Sequence, residues 1–396
     1  MPARLRSDSE PNSLESLLAA KEIAVFCGSG GVGKTTTAAA AAAMAAVKLG
    51  GKVLVLTVDP AKRLANALGL KGFGNVEIRV PVSAFKAAGQ PHPRGELWAA
   101  MLDTKQSWDI LVRRHAPDAV TVARILENPL YQNISGRFVQ SHEYIAMERL
   151  YELHVEGNYD LIVVDTPPTR NALDFIEAPE RMAEFFSSRL LRLLIVPYRS
   201  KLVNVASRPF YQVADRILGS QFLQDIAEFF ILFQTMYDGF VQRAQAVARL
   251  LRDKRTTFVV VSTLEAAPVH EAEFFIDVLT SKNLHLDALV LNKVLPAYFN
   301  DEAASSRAAV LVDRAPELAA KVAGATGVDP AQVERVLTEV GESFRNFGVV
   351  AQREAAQRAA LAAAPAAPAV VAGVPYFETD IYNLEGLLRL GEKFWT

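Results

Sequence analysis

The run Gly28-Ser29-Gly30-Gly31-Val32-Gly33-Lys34-Thr35 constrains this chain more than any other eight residues in it. Its glycines let backbone N–H groups curl around an anion without Cβ clashes. Such a loop works where a strand ends and a helix begins, since the helix N-terminus adds its positive dipole end. The flanks agree. The apolar residues Ile23-Ala24-Val25-Phe26 precede the loop, and an alanine-rich segment from Thr35 to Lys48 follows it, stopped by Gly50-Gly51. The pattern G-x-x-x-x-G-K-[ST] sets Lys34 to reach the β- and γ-phosphates of a nucleotide and Thr35 to offer its hydroxyl to Mg²⁺. Gly28, Gly30, Gly31, Val32, Gly33, Lys34, Thr35 and Thr36 are therefore the candidate nucleotide-binding residues of this loop.

Short apolar runs at 23–27, 52–58, 161–164, 258–261 and 288–291 have the composition of buried parallel strands, with 370–374 as a sixth and 97–102 as a further candidate. They are rich in Val, Ile and Leu without polar alternation, as strands covered on both faces should be. Helical segments lie between them. The expected fold is α/β: a doubly wound, mostly parallel P-loop core.

Two stretches break the rhythm and predict an inserted α-helical subdomain, 103–156 and 179–255. The second carries Phe185, Phe186, Leu190, Leu191, Phe210, Phe222, Phe229, Phe230, Phe233, Tyr237 and Phe240. Residues 21–102, 157–178 and 256–396 are left as the core, with 1–20 as an N-terminal tail. One P-loop and no internal repeat give a single ATPase unit.

Three further candidates sit at strand ends, where open α/β sheets bind ligands. Asp165 heads Asp165-Thr166-Pro167-Pro168-Thr169-Arg170-Asn171 and can hold a water of the Mg²⁺ shell, or it can simply cap a helix. Asp59, in Asp59-Pro60-Ala61-Lys62-Arg63, fits an N-cap followed by proline. It also fits a carboxylate that orients the attacking water or contacts Mg²⁺ through water. Asn292-Lys293 ends another strand. Asn-Lys-x-Asp would suggest guanine recognition, but the fourth position is Leu295, which favours ATP. Asn292 is a candidate for hydrogen bonding to adenine, a plain strand-end turn being the alternative.

Composition removes several classes of function. A formal net charge of −2 offers no basic field for nucleic acid. Cys27 is the single cysteine, so no intramolecular disulfide and no paired-cysteine zinc site can form. Arg4 and Arg6 open the chain, but the polar stretch from Ser7 to Asn12 lacks the apolar segment of a signal peptide. The uncharged run 359–377 contains Pro365, Pro368, Gly373 and Pro375 and reads as a linker into a last strand rather than a membrane span. A cytoplasmic protein is expected. His142-Glu143 begins like a zincin helix, but Ala146 stands where the second histidine would be, so His142 and His154 read as ordinary helix residues.

Taken together, the P-loop, Asp59-Pro60-Ala61, Asp165-Thr166-Pro167-Pro168-Thr169 and Asn292 fall in the order found in ArsA-type ATPases, which the chain resembles. That group includes the arsenite-pump ATPase and the ATPase that delivers tail-anchored membrane proteins. Pro375-Tyr376-Phe377 and the last helix match the family's C-terminal end, which adds Pro375 to the nucleotide-binding candidates. The resemblance implies Asp59 as the water-activating residue of a first switch, Asp165 in a second, and a nucleotide-gated dimer. It is nearest to the bacterial, actinobacterial-type ArsA-related ATPases.

Three departures qualify what the resemblance implies. The family's P-loop pattern G-K-G-G-x-G-K-T has a lysine that reaches the partner's ATP, and here that position is Ser29. A homodimer helped by an arginine such as Arg63 or Arg170, or a heterodimer with a lysine-bearing paralogue, is left open. The cysteine cluster used in arsenite activation is missing, as are the paired cysteines that clamp the eukaryotic targeting factors through zinc.

The leading functional reading is a chaperone-like or targeting ATPase for hydrophobic protein segments. The alternatives are the energising subunit of an anion transporter and a MinD-like switch acting on a membrane or partner. The last would use Leu384, Leu387, Leu388, Leu390, Phe394 and Trp395 as a membrane anchor, although the mixed charges around them favour packing onto the sheet.

Overall fold

The computed structural model describes residues 12–58, 62–70, 74–132, 139–167, 177–178, 180–181, 184 and 220–395. Among them, eight strands form one sheet in the order β3-β4-β2-β5-β1-β6-β7-β8. These are β1 (Ile23–Cys27), β2 (Gly51–Thr57), β3 (Ile78–Arg79), β4 (Gly95–Met101), β5 (Leu161–Asp165), β6 (Thr256–Ser262), β7 (Leu286–Val294) and β8 (Val370–Pro375). Neighbours run parallel, except that β3 pairs antiparallel with β4. Every run read as a strand is one. The two-residue β3 at the sheet edge has no apolar run to announce it.

Successive side chains of a strand point to opposite faces. Along β1, Ile23, Val25 and Cys27 enter one apolar core while Ala24 and Phe26 enter the other. Both faces are covered, which is why the strands show no polar alternation.

The helix Lys34–Lys48 covers one face. Its buried alanines, Ala38 to Ala43 with Ala45 and Ala46, let it lie close to the sheet. The C-terminal helix Leu384–Gly391 packs against it so tightly that a Cβ on Gly391 would meet Met44 Cγ at 2.3 Å. Leu384, Leu387, Leu388, Leu390, Phe394 and Trp395 are all buried in this core. The apolar face that a membrane anchor would need is thus already occupied.

The other face carries the helices Thr104–His115, Val139–Glu156, Ser220–Gln234 and Tyr237–Leu251. Phe233 stacks on Phe240 and meets Phe229 at a tilt, each with 5.0 Å between ring centroids, and Trp108 packs against Phe233 and Phe240. The helices before and after β5 are tied together by the Glu148–Arg243 ion pair and by Asn128 Nδ2, which donates to Asp225 O at 3.1 Å. Burial pushes the Glu148 carboxyl above its usual range, against the pull of Arg243. Phe185, Phe186, Leu190, Leu191 and Phe210 lie outside the described residues, as do the side chains of Phe222 and Tyr237.

Between β7 and β8 runs a helical excursion that sequence reading did not resolve: Glu302–Asp313, Ala315–Thr326 and the 34-residue helix Pro330–Ala363. The last begins with Asp329 accepting from Ala331 N at 3.2 Å and Pro330 in the first turn, a conventional start signal. The expected linker at 359–377 is corrected accordingly. Residues 359–363 finish this helix, and β8 begins at Val370. No helix among the described residues is long and apolar enough to cross a membrane.

Candidate nucleotide site

β1 stops at Cys27, and the following helix starts at Lys34 with Gly33 as its N-cap at φ +92°. Two glycines of the loop between them tolerate no side chain. A Cβ on Gly28 would lie 2.1 Å from Val261 O of β6, and one on Gly33 would lie 2.2 Å from Asn292 Nδ2. Thr37 closes the first helical turn, its N and Oγ1 donating to Gly33 O at 2.9 and 3.0 Å.

A cavity of about 780 Å³ opens around this loop, a volume suited to a small-molecule ligand. It lies outside the carboxyl ends of the strands, where open α/β sheets bind ligands. Ser29, Gly30, Gly31 and Gly33 line it from the loop, Lys34, Thr35 and Thr36 from the first turn of the helix, Asn292 and Lys293 from β7, and Pro375 from β8. Gly28 and Val32 stand behind it. Gly28 is buried against β6, and the Val32 side chain sits in the core.

Asp165 is wholly buried at the end of β5, flanked by Phe26 of β1 and Thr57 of β2. Its Oδ2 accepts from Thr57 Oγ1 at 3.0 Å. Thr166, the next residue, ties the following loop to β1, with its N and Oγ1 donating to Phe26 O at 3.2 and 2.8 Å. Asp59 and its neighbours 60–61, together with 168–176 and hence Arg170, lie outside the described residues, as does the Arg63 side chain.

The Asn292 amide is already engaged: Nδ2 donates to Val32 O at 2.7 Å, and Oδ1 accepts from Lys293 N at 2.9 Å. Burial pushes the Cys27 thiol far above its usual range, outweighing Lys34, so it is a neutral core group. His154 pairs with Glu22, Nε2 to Oε2 at 2.8 Å, as an ordinary helix residue would. No group of three or more His, Cys, Asp or Glu side chains among the described residues could hold a metal ion.

Sequence reading missed Lys293 as a lining residue, along with the residues after Pro375. Tyr376, Phe377 and residues 379–382 border the cavity, as do Leu64, Asn66 and Ala67. The strand-end rule that found Asn292 could have found Tyr376 and Phe377, which follow β8 directly.

Comparison with known proteins matches residues 21–314 to the ArsA ATPase family model, described as anion-transporting ATPase. The chain is 25% identical to an ATPase ASNA1 homolog of Entamoeba dispar over 296 residues, covering 73% of this chain and 81% of that protein. It is likewise 25% identical to ATPase GET3 of Malassezia globosa over 291 residues, 73% of this chain and 78% of the relative. ATPase ASNA1 homolog 2 of Paramecium tetraurelia is 28% identical over 271 residues, 68% of this chain and 74% of the relative.

Proposed function

The chain belongs to the ArsA family of ATPases, and on that premise we propose that it is a cytoplasmic, Mg²⁺-dependent ATPase that closes as a dimer around ATP and then holds hydrophobic protein segments for targeting. One observation carries the coupling. Val164, next to Asp165, and Cys27, next to the P-loop, share a single apolar core with Phe229, Phe233 and Phe240 of the helical layer. A shift at the phosphate site therefore has packed side chains through which to move the helices above it.

In this reading the N–H groups of the P-loop and Lys34 bind the phosphates. Mg²⁺ prefers oxygen ligands, and Thr35 would hold it through its hydroxyl while Asp165 would hold a water of its shell. The ion, when bound, offsets charge on the phosphate oxygens. Asp59 orients the attacking water and is open to Mg²⁺ through water as well. Pro375 and the residues after it border the same cavity and would contact the nucleotide.

The relatives' GET3 and ASNA1 names favour the targeting role over the transporter subunit. A buried, neutral Cys27 gives arsenite no thiolate to bind. The filled face of the C-terminal helix disfavours the MinD-like switch.

The test is binding of a fluorescent apolar helical peptide to the pure chain. Capture with a non-hydrolysable ATP analogue and release with ADP is expected, together with higher binding of a hydrophobic dye in the ATP state. Equal binding in both states would refute a nucleotide-gated client site.

A further inference from the structure

Strand geometry should send Asn292 and Lys293 to opposite faces of β7. Instead, the pairing of β7 with β8 shifts register between Leu291 and Val294, and Lys293 adopts φ +58°. A lysine in the left-handed region is held there only by its surroundings. The consequence is specific. Two consecutive side chains reach two consecutive P-loop carbonyls, Asn292 Nδ2 to Val32 O at 2.7 Å and Lys293 Nζ to Gly31 O at 3.4 Å. The segment beyond the bulge is anchored as well, with Leu295 N donating to Glu354 Oε2 and Tyr376 N to Val294 O, both at 2.9 Å.

From this geometry we infer that Asn292 and Lys293 are positioning residues that brace the P-loop from behind. In a planar trans peptide the C=O of one residue and the N–H of the next point in opposite directions. Holding the carbonyls of Gly31 and Val32 toward β7 turns the N–H groups of Val32 and Gly33 the other way, where phosphate oxygens would be held. Asn292 thus acts on the phosphates through the loop, whatever its amide offers a base. The inference rests on nucleotide binding in this cavity and on no client, so failure of peptide capture would leave it standing.

Inorganic tripolyphosphate, which has no base, separates the two roles of Asn292. Its affinity for the full chain is read by competition against a fluorescent ATP analogue, alongside that of ATP. Asn292→Ala should weaken both ligands by the same factor, about tenfold for the loss of one buried hydrogen bond. Lys293→Met should weaken both about threefold, and Lys293→Arg should restore them.

Lys293→Gly is the decisive control because it relieves the backbone while removing the amine. It should melt no lower than the wild type, measured without ligand, yet still bind tripolyphosphate less tightly. If ATP binding falls and tripolyphosphate binding does not, Asn292 reads the base and the brace is wrong. If tripolyphosphate binding is unchanged in Lys293→Gly, the bulge is only a strand-end turn, whether or not Asn292→Ala folds.

Discussion

Thr57 Oγ1 donates to Asp165 Oδ2 at 3.0 Å between paired positions of β2 and β5, with both residues wholly buried. The hydroxyl fixes one oxygen of the carboxylate that the proposed mechanism uses to hold the Mg²⁺ shell. Thr57→Val keeps the shape and removes the bond. It should cost about 1 kcal/mol of stability and lower turnover severalfold. Asp165→Asn should lower turnover by about a hundredfold and weaken its Mg²⁺ dependence. Phosphate release measured across a Mg²⁺ titration checks both.

Asp59→Asn is expected to leave ATP affinity nearly unchanged and to slow turnover, since binding uses the P-loop while water activation does not. Equilibrium binding and steady-state hydrolysis on one preparation separate the two. Normal hydrolysis would reduce Asp59 to a helix cap.

Arg243→Ala tests the tie between the helices on either side of β5. Glu148 is nearly inaccessible and would be left as an unpaired buried carboxylate, costing about 3–5 kcal/mol. Arg124→Ala breaks an exposed pair with Glu228 and should cost under about 1 kcal/mol. Denaturant unfolding of the two variants gives the comparison.

Sequence displayed every strand but β3, because both faces of the sheet are covered and each of those strands carries a continuous apolar run. The P-loop was equally legible, since Gly28 and Gly33 are dictated by contacts that a Cβ would violate. The helical excursion between β7 and β8 was hidden by its own composition. The alanines at 359–363 serve a linker as well as a helix end, and the Asp329-Pro330 start signal lies far upstream. Lys293 was invisible for another reason. A bulge that turns two adjacent side chains toward one loop leaves no periodic trace, and Asn-Lys reads first as a fragment of a guanine motif.

Ser29 bears on the assembly. A hydroxyl cannot span a dimer interface as a lysine stem can, and it brings no charge to a partner's phosphates. Specific activity measured against chain concentration tests the alternatives. Weak activity of the isolated chain, raised by adding a lysine-bearing paralogue, is expected for the heterodimer. Robust, concentration-dependent turnover by the chain alone, lost in Arg63→Ala or Arg170→Ala, would instead establish the homodimer.

The most direct test of the whole account is phosphate release from ATP by the pure chain and by Lys34→Ala, with folding of both verified by thermal melting. Lys34 lines the cavity at the start of its helix, and its loss removes charge-assisted contacts of about 1.5–3 kcal/mol each. Hydrolysis at the P-loop predicts a fall of about a hundredfold or more in a variant that still folds. Undiminished hydrolysis by folded Lys34→Ala would contradict it.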